Sequence, residues 1–202
     1  PAPPAEEVMP GPPPPPPPPP PRRSSSAEAG SASLDTVFGE LWDAKQRRIR
    51  AASPHGRLEG WGLVPVLSKA NDDLRQEVFV MQLLRLLDDA FPSPLWMRPY
   101  EILSTGPHSG LIEFTPDTQS LHALKRQPGF TCLAEHFSHF GSPGSPALEA
   151  AQSRFTESLA AYSVATYVLA IKDRHNGNIL LDRDGRLIHI DFGFVLGRAP
   201  GG

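Results

Sequence analysis

Residues 172–193 place two potential metal ligands at the root of a predicted β-hairpin. The pair Asp184-Gly185 is the usual signal for a two-residue type I′ turn, in which both residues have positive φ. If the chain turns there, Asn178 on the first strand faces Asp191 on the second. Opposed amide and carboxylate oxygens suit a hard cation such as Mg²⁺, or Mn²⁺, which takes its remaining ligands from water and substrate phosphates. The segment is therefore predicted to bind a divalent metal.

The residues just before this hairpin have the spacing of a catalytic loop. Asp173 lies five residues before Asn178, which is the separation between the catalytic Asp and the metal-binding Asn of protein kinases. Asp191 is followed by Phe192-Gly193, as in the Asp-Phe-Gly segment of those enzymes. A plain surface hairpin is the alternative, and an isolated Asp-Phe-Gly would not exclude it. The loop, the hairpin and the Asp-Phe-Gly together favour phosphoryl transfer over that alternative.

Phosphoryl transfer also needs a cation on the nucleotide phosphates, held by an acidic residue. Lys69 follows a predicted strand over Leu63–Leu67, and Glu77 lies in the first turns of the next predicted helix. We expect Lys69 to point from the strand into the cleft and to pair with Glu77. A surface lysine beside Asp72 is the alternative, and the position of Lys69 relative to the hairpin favours the catalytic reading.

A phosphate-covering loop belongs just before the strand that carries this lysine. The turn Ser53–Gly56 occupies that position, so Ser53 is assigned to the nucleotide. The turn does not have a Gly-x-Gly-x-x-Gly pattern, and the assignment therefore rests on its place in the chain.

Apolar residues at helical spacing predict the main helices that position these loops. One helix is expected from Leu34 to Ile49, with Ser33 as its N-cap, and a long helix from Leu148 to Ile171. Short strand patterns lie between them. The order helix, small mixed β region, linker, long helix and hairpin predicts an α+β fold with two lobes. We place the N-terminal lobe at about residues 33–117 and the start of the C-terminal lobe at about 118–202.

Residues 1–32 differ in composition from the rest of the chain. Ten consecutive prolines, Pro12–Pro21, stand among Ala, Gly, Ser and Glu with almost no large apolar residue. Such a segment cannot bury enough surface to offset its ordering entropy, so it is predicted to be disordered. The proline run either docks in the aromatic-lined grooves of SH3, WW or profilin-type domains, or serves as a spacer. Its uniformity favours the spacer.

The global properties exclude several classes of protein. The net charge of −3 gives no indication of a nucleic-acid partner. Cys132 is the single cysteine, which excludes an intramolecular disulfide and suits a reducing compartment. No apolar run is long enough to span a bilayer, so we expect any membrane contact to be peripheral.

At these motifs the sequence resembles the type III phosphatidylinositol 4-kinases, most nearly their beta form. Residues Lys69–Glu77 are similar to the family block Lys-x-Gly-Asp-Asp-Leu-Arg-Gln-Asp/Glu, with Asn71 in place of the usual Gly. Residues Lys172–Asn178 are similar as well, whereas phosphoinositide 3-kinases usually have Gly before the Asp and Asp or Ser in place of Gly177. The likeness covers about residues 36–200. Two further similar segments are Pro94–Tyr100 and Gly110–Glu113.

The resemblance implies a lipid kinase that transfers the γ-phosphate of ATP to the 4-hydroxyl of phosphatidylinositol in a membrane surface. It implies a two-lobed, protein-kinase-like catalytic domain over residues 33–202, with an incomplete C-terminal lobe. Lys69 would contact the ATP phosphates, Glu77 would orient it, and Glu113 and Phe114 would lie at the adenine hinge. The matched catalytic candidates are Asp173, Arg174 and His175, and the matched metal ligands are Asn178 and Asp191.

Several questions stay open within this resemblance. Either Asp173 or His175 is the acceptor of the hydroxyl proton, since a histidine near the attacking group can take a proton at neutral pH. Pro65 removes a backbone donor from the strand leading to Lys69, where the family usually has one. The chain stops at Gly202, before the part of the activation segment that recognises the lipid headgroup in this family. We therefore expect the 202 residues alone to be inactive.

Two other functions remain as alternatives, namely phosphoinositide 3-kinase-like activity and a non-catalytic scaffold that binds nucleotide. The ending Asn176-Gly177-Asn178 makes a protein kinase less consistent with the sequence than either. The resemblance also implies a cytoplasmic protein that is peripheral on endomembranes, with the Golgi as the suggested organelle.

Overall fold

The computed structural model describes residues 34–201, without the side chain of Asp35. The predicted disorder of residues 1–32 and the predicted cap at Ser33 lie outside these residues. The helices are α1 (Leu34–Phe38), α2 (Trp42–Ala52), α3 (Arg75–Ala90), α4 (Leu121–Leu124), α5 (Leu133–Phe137), a 3₁₀ turn (Ser138–Phe140) and α6 (Pro146–Val168). The strands are β1 (Val66–Ala70), β2 (Ile102–Gly106), β3 (Ser109–Glu113), β4 (Thr118–Ser120), β5 (Ile179–Asp182) and β6 (Leu187–His189).

The helix predicted from Leu34 to Ile49 is two helices. Gly39 has a φ of 75°, a left-handed conformation that ends α1 and that glycine adopts without steric cost. Helix α2 then begins at Trp42, whose backbone N–H donates to Asp117 Oδ1 at 2.9 Å. Because this capping carboxylate lies 75 residues further along the chain, helical spacing alone could not predict the break.

The first sheet has the antiparallel strand order β1-β3-β2. Strand β1 starts at Val66, so the strand predicted over Leu63–Leu67 is shifted by three residues and includes Lys69. Pro65 lies before the strand, where its carbonyl accepts from the Phe114 N–H at 3.0 Å. The register places Pro65 opposite Phe114, so its missing donor leaves out only the reciprocal bond to the Phe114 carbonyl, at the end of the ladder.

The second sheet has the antiparallel order β4-β5-β6 and contains the predicted hairpin in a different register. Ile179 pairs with His189, so the strands are offset by one residue from the predicted pairing of Asn178 with Asp191. The N–H of Ile190 donates to the Asn178 carbonyl at 3.1 Å, which makes Ile190 the residue opposite Asn178. The predicted register is therefore wrong, although the hairpin itself is confirmed.

The hairpin loop explains this difference in register. The Asp182 N–H donates to the Arg186 carbonyl at 2.9 Å, so the loop between these two residues contains three residues, Arg183 to Gly185, and Gly185 has a φ of 93°. Three-residue hairpin loops combine a type I turn with one residue in the left-handed region. The Asp182 carboxylate accepts from the N–H groups of Asp184 and Arg186 at 2.9 and 2.7 Å. These side-chain bonds stabilise the longer loop over the two-residue turn.

Helix α6 contributes to two apolar cores. Its C-terminal half, with Ala161, Tyr162 and Ala165, packs with α3 and the first sheet. Its N-terminal half, with Leu148 and Ala151, packs with α1, α5 and the hairpin. Helices and antiparallel strands thus form an α+β fold, as the sequence predicted. Among the described helices, none combines the length and the apolar character that a membrane span requires.

Candidate functional site

A cavity of about 460 Å³ is lined by residues of both sheets. Strands β1 and β3 and helix α3 contribute to one part of the wall, and residues 114–115 and 118–120, strand β5 and the segment after β6 contribute to the rest. Six of the ten predicted site residues line it, and they come from positions far apart in the chain. These six are Lys69, Glu77, Glu113, Phe114, Asn178 and Asp191.

Lys69 and Glu77 share this cavity but do not form the predicted ion pair. The Lys69 Nζ lies 3.6 Å from Asp72 Oδ2, and both side chains are about half exposed. Glu77 instead accepts a hydrogen bond from the Tyr100 hydroxyl at 2.5 Å. Burial raises the pKa of Glu77, while Tyr100 and Lys69 act in the opposite direction. The exposed pair with Asp72 is weak, so Lys69 is able to turn towards an anionic ligand.

Asn178 and Asp191 provide two oxygen atoms on the opposite wall. Asn178 is buried, and its amide nitrogen donates to the Asp173 carbonyl at 3.1 Å. This bond leaves the amide oxygen as the atom suited to a cation. Asp191 is exposed and has a φ of 60°, and its Oδ1 accepts from the Gly193 N–H at 3.4 Å. No group of three His, Cys, Asp or Glu side chains that could hold a metal occurs among the described residues. A hard cation held by these two oxygens would take its other ligands from phosphates and water.

Side chains hold the backbone on both sides of Asp191. The Arg174 guanidinium donates to the Ile190 carbonyl at 2.8 Å and also to the Asp191 carbonyl. The Asp191 N–H donates to the Tyr100 hydroxyl at 3.2 Å. Phe192 is fully buried, and the Arg174 guanidinium lies 5.2 Å from its ring centroid. Burial lowers the pKa of Arg174, although the carboxylate of Asp191 opposes this effect. Arg174 therefore contacts backbone carbonyls and does not line the cavity.

The predicted catalytic loop has a left-handed residue at its start. Asp173 has a φ of 59°, and its Oδ2 lies 3.9 Å from His175 Nε2, beyond hydrogen-bond distance. The Nδ1 of His175 accepts from the Gly177 N–H at 3.0 Å. A Cβ on Gly177 would lie 2.9 Å from the His175 ring, so the close approach of the imidazole requires glycine there.

Glu113 and Phe114 border the cavity with their backbone donors already in use. The Glu113 N–H donates to the Glu101 carbonyl at 2.8 Å, and the Phe114 N–H donates to the Pro65 carbonyl. The Glu113 carboxylate accepts from Arg98 at 2.8 Å. These two residues therefore offer a bound base their carbonyl groups and the Phe114 ring.

Ser53 is not brought to this cavity. It borders a different depression together with residues of α2 and of the following turn, including Arg47, Arg50 and Arg57. Its Oγ accepts from the His55 N–H at 3.2 Å. The assignment of Ser53 to the nucleotide, which rested on position in the chain, therefore stays a prediction that no contact in the described structure supports.

Comparison with known proteins identifies the family. A family model described as "Phosphatidylinositol 3- and 4-kinase" matches residues 63–201. The chain belongs to this family. Phosphatidylinositol 4-kinase beta 1 of Arabidopsis thaliana is 48% identical over 172 residues, which are 83% of this chain and 15% of that protein.

Two further relatives give the same result. Phosphatidylinositol 4-kinase of Dictyostelium discoideum is 49% identical over 169 residues, and phosphatidylinositol 4-kinase beta of Xenopus laevis is 45% identical over 164 residues. These alignments cover 81% and 80% of this chain, and 14% and 20% of the relatives. The resemblance to the type III phosphatidylinositol 4-kinases, beta form, is thereby confirmed. The chain spans at most about a fifth of the length of these relatives.

One departure from the family block has a simple structural reason. Asn71, which stands where the family usually has Gly, has a φ of 60°. Asparagine is among the residues that tolerate this left-handed conformation, so the turn between β1 and α3 forms without glycine. The next residue, Asp72, donates its N–H to the His108 carbonyl at 3.2 Å. The substitution therefore leaves Lys69 at the cavity.

Two residues to which the sequence assigned no role also contact residues 191–193. Tyr100 joins Glu77 to the Asp191 N–H, and the Gln76 amide donates to the Phe192 and Gly193 carbonyls. Both residues belong to segments already noted as similar to the family. Their partners, however, lie 91 and at least 116 residues away, so spacing carried no signal of the contacts.

Proposed function

We propose that these residues form the nucleotide- and metal-binding part of a phosphatidylinositol 4-kinase. The reaction is transfer of the γ-phosphate of ATP to the 4-hydroxyl of phosphatidylinositol in a membrane surface. The observation that carries the proposal is the single cavity that gathers Lys69, Glu77, Asn178 and Asp191. Relatives named phosphatidylinositol 4-kinase support the choice of substrate.

Lys69 and the 113–114 segment receive the nucleotide in this proposal. The Lys69 ammonium exchanges its exposed contact with Asp72 for the ATP phosphates, and Glu77 lies on the same wall to orient it. The Phe114 ring and the carbonyls of Glu113 and Phe114 are available to the adenine. In a reaction with a loose transition state, such positioning and charge neutralisation supply most of the catalysis.

Asn178 and Asp191 would hold Mg²⁺, or Mn²⁺, on the opposite wall. One amide oxygen and one carboxylate fit a hard cation that completes its shell with phosphates and water. When bound, the cation supplies positive charge to the transferred phosphoryl group. Arg174 and Tyr100 fix the backbone of Asp191 and thereby the direction of its carboxylate.

Asp173 is the proton acceptor that we favour. Because the Nδ1 of His175 accepts from the Gly177 N–H, the proton of the neutral imidazole lies on Nε2, which then donates rather than accepts. The Asp173 carboxylate keeps its lone pairs for the hydroxyl proton. A larger loss of kcat in Asp173→Asn than in His175→Gln supports this assignment, and the reverse order refutes it.

We further propose a two-lobed arrangement, with lobes at about residues 33–117 and 118–202. The first sheet ends at Glu113 and the second begins at Thr118, so the linker between them borders the cavity. A linker between the two sheets at the edge of the cavity supports this division into lobes.

Product analysis tests the function. The full-length protein is incubated with phosphatidylinositol vesicles, ATP and Mg²⁺, and the phosphate is mapped on the inositol ring. We expect the 4-phosphate. A 3-phosphate would contradict the specificity, and nucleotide binding without lipid phosphorylation would favour the scaffold.

The remaining expectations stay predictions. The proline run Pro12–Pro21 lies outside the described residues, and its docking to SH3, WW or profilin-type domains is checked by peptide pull-down against such domains. Peripheral attachment to endomembranes, with the Golgi as the suggested organelle, is checked by imaging the tagged full-length protein. The inactivity of the 202 residues alone is checked by the same lipid assay.

A further inference from the structure

Four consecutive backbone carbonyls at the metal-side segment accept hydrogen bonds from side chains. Arg174 donates to the first two, Ile190 and Asp191. Gln76 on α3 donates through Nε2 to the next two, at 3.0 Å to Phe192 and 2.7 Å to Gly193. The segment that carries the proposed metal ligand is thus held from two sides, by the catalytic loop and by α3.

The orientation of the Gln76 amide is fixed by its partners. Carbonyl oxygens only accept hydrogen bonds, and a guanidinium only donates them. Arg198 Nη1 donates to Gln76 Oε1 at 2.7 Å, so the Nε2 must face the Phe192 and Gly193 carbonyls. Arg198 is itself anchored, because Lys172 Nζ donates to the Leu196 and Arg198 carbonyls at 3.0 and 2.9 Å.

The conformation of Asp191 gives such a clamp a role. Its φ of 60° lies in the left-handed region, which aspartate tolerates better than most L-residues but which contacts with the surroundings still help to hold. The carbonyls that Gln76 binds belong to the two residues immediately after Asp191. Loss of the Gln76 bonds would therefore allow the segment to relax and the Asp191 carboxylate to turn away from Asn178.

We propose that Gln76 is a positioning residue for the phosphoryl transfer, and that Arg198 sets the orientation of its amide. Gln76 holds the segment 190–193 so that Asp191 stays directed into the cavity. Arg198 links this clamp to the part of the chain that follows Gly193. The claim that Gln76 positions Asp191 for catalysis, the catalytic half of the inference, rests on the proposed function. The claim that Gln76 holds segment 190–193, the structural half, does not.

Gln76→Glu is the sharpest test because it keeps the size of the side chain and the acceptor for Arg198. It replaces the amide nitrogen with an oxygen that faces two carbonyls, so the clamp becomes repulsive. In the metal-free full-length protein we expect hydrogen exchange at amides 190–196 to accelerate at least about tenfold, from the loss of one or more hydrogen bonds. In the kinase assay we expect kcat to fall about 10- to 100-fold, as for other residues that orient a metal ligand.

The expected loss lies in kcat rather than in the KM for ATP, because Lys69 and the hinge residues are untouched. Gln82→Glu is the matched control, since it makes the same chemical change at an exposed position of the same helix. Exchange at amides 80–87 within α3 reports that the helix stays folded. Gln76→Leu, which removes the donor without adding charge, should give a smaller acceleration in the same segment.

A double-variant cycle tests the role of Arg198. With Gln76 present, Arg198→Ala should accelerate hydrogen exchange at amides 190–196 a few-fold. In the Gln76→Leu background the same substitution should have no effect, because Arg198 acts through the Gln76 amide. Equal effects of Arg198→Ala in both backgrounds would overturn that part.

The two claims fail in different ways. If Gln76→Glu matches Gln82→Glu in both exchange and kcat, the clamp is wrong. If exchange responds as expected but kcat does not, Gln76 does not position Asp191 for the reaction. If the wild-type full-length protein transfers no phosphate to lipid, the proposed function fails and the catalytic half fails with it.

Discussion

The two walls of the cavity are built in different ways. On the metal side, Phe192 is fully buried, Ile188 is almost so, and side chains bind the carbonyls on both sides of Asp191. On the phosphate side, Lys69 lies in β1, an edge strand of which all five residues are exposed. Hydrogen bonds already fix the wall around Asp191, whereas we expect the wall around Lys69 to reach its final geometry only when nucleotide binds.

This difference has an energetic consequence. An exposed ion pair such as Lys69–Asp72 contributes about 0–1 kcal/mol to stability. A buried acceptor that loses its donor costs about 1–3 kcal/mol. Substitutions that disturb the backbone bonds of the metal side should therefore reduce both stability and activity, whereas substitutions at Lys69 should reduce nucleotide binding alone.

Asp191→Asn should have the largest effect on activity. Asparagine tolerates the left-handed backbone and keeps an oxygen for the Gly193 N–H, so the fold should hold while the negative charge is lost. We expect kcat for lipid phosphorylation to fall about 100- to 1000-fold with little change in Tm. Asp184→Asn, at the exposed hairpin loop, is the control and should keep full activity. Near-normal turnover in Asp191→Asn would remove Asp191 from the metal site.

Lys69→Met should separate nucleotide binding from stability. Methionine keeps the aliphatic stem but loses the charge, and a charge-assisted hydrogen bond to phosphate is worth about 1.5–3 kcal/mol. We expect the Kd for ATP, measured by calorimetry, to rise about 10- to 100-fold while Tm stays nearly constant. Asp72→Asn breaks the same ion pair and leaves Lys69 intact, so it should retain affinity. Equal losses in both variants would mean that the ion pair itself holds Lys69 in place.

The sequence predicted the two walls unequally well. Lys69 and Asp191 were both predicted to be site residues, and both line the cavity. Each lies in a short motif that is recognisable from neighbouring residues in the sequence. The predicted partner of Lys69 was wrong, since Asp72 is closer and Glu77 is engaged by Tyr100. The acidic partner of Lys69 depends on the hydrogen bond between Glu77 and Tyr100, which are 23 residues apart in the sequence. No local sequence pattern predicts this bond.

Contacts that local spacing does not reveal also explain the wrong hairpin register and the unpredicted role of Gln76. The Asp184-Gly185 pair predicted a two-residue turn, but the Asp182 carboxylate stabilises a loop that is one residue longer. Gln76 meets Phe192 across 116 residues, so its role follows from packing of α3 and not from spacing. Element type and motif position were predictable, whereas register and long-range hydrogen bonds depend on the assembled fold.

Acid should weaken the core beneath the hairpin. His136 is 3% exposed, and its Nε2 has no hydrogen-bond partner within the described structure. Burial lowers the pKa of His136 to about 4. The unfolded chain, with a histidine pKa of about 6.5, binds more protons between these values, so stability is lost as pH falls from about 6.5 to 4. His136→Phe keeps the ring contacts with Phe38 and Phe137, whose core includes Leu181 of β5.

We expect His136→Phe to reduce the loss of unfolding free energy between pH 7 and pH 4 by about 1–2 kcal/mol, measured by urea titration at each pH. His55→Phe, at an exposed turn, should leave the pH dependence unchanged. The protection factors for hydrogen exchange in residues 179–189 should fall between pH 7 and pH 4 in the wild type and not in the variant. An unaltered pH dependence in His136→Phe would mean that this histidine is not buried in its neutral form.

Ser53→Ala should have the smallest effect, and it tests where the phosphate side ends. Ser53 borders the depression near Arg47 and Arg50 rather than the cavity, and its Oγ bonds to the His55 N–H within its own turn. The KM for ATP should therefore stay within about twofold of wild type, as for a surface substitution. If it rises as far as in Lys69→Met, the 53–56 turn closes over the nucleotide when ATP binds. The phosphate side would then be assembled by the ligand from more of the chain than β1 alone.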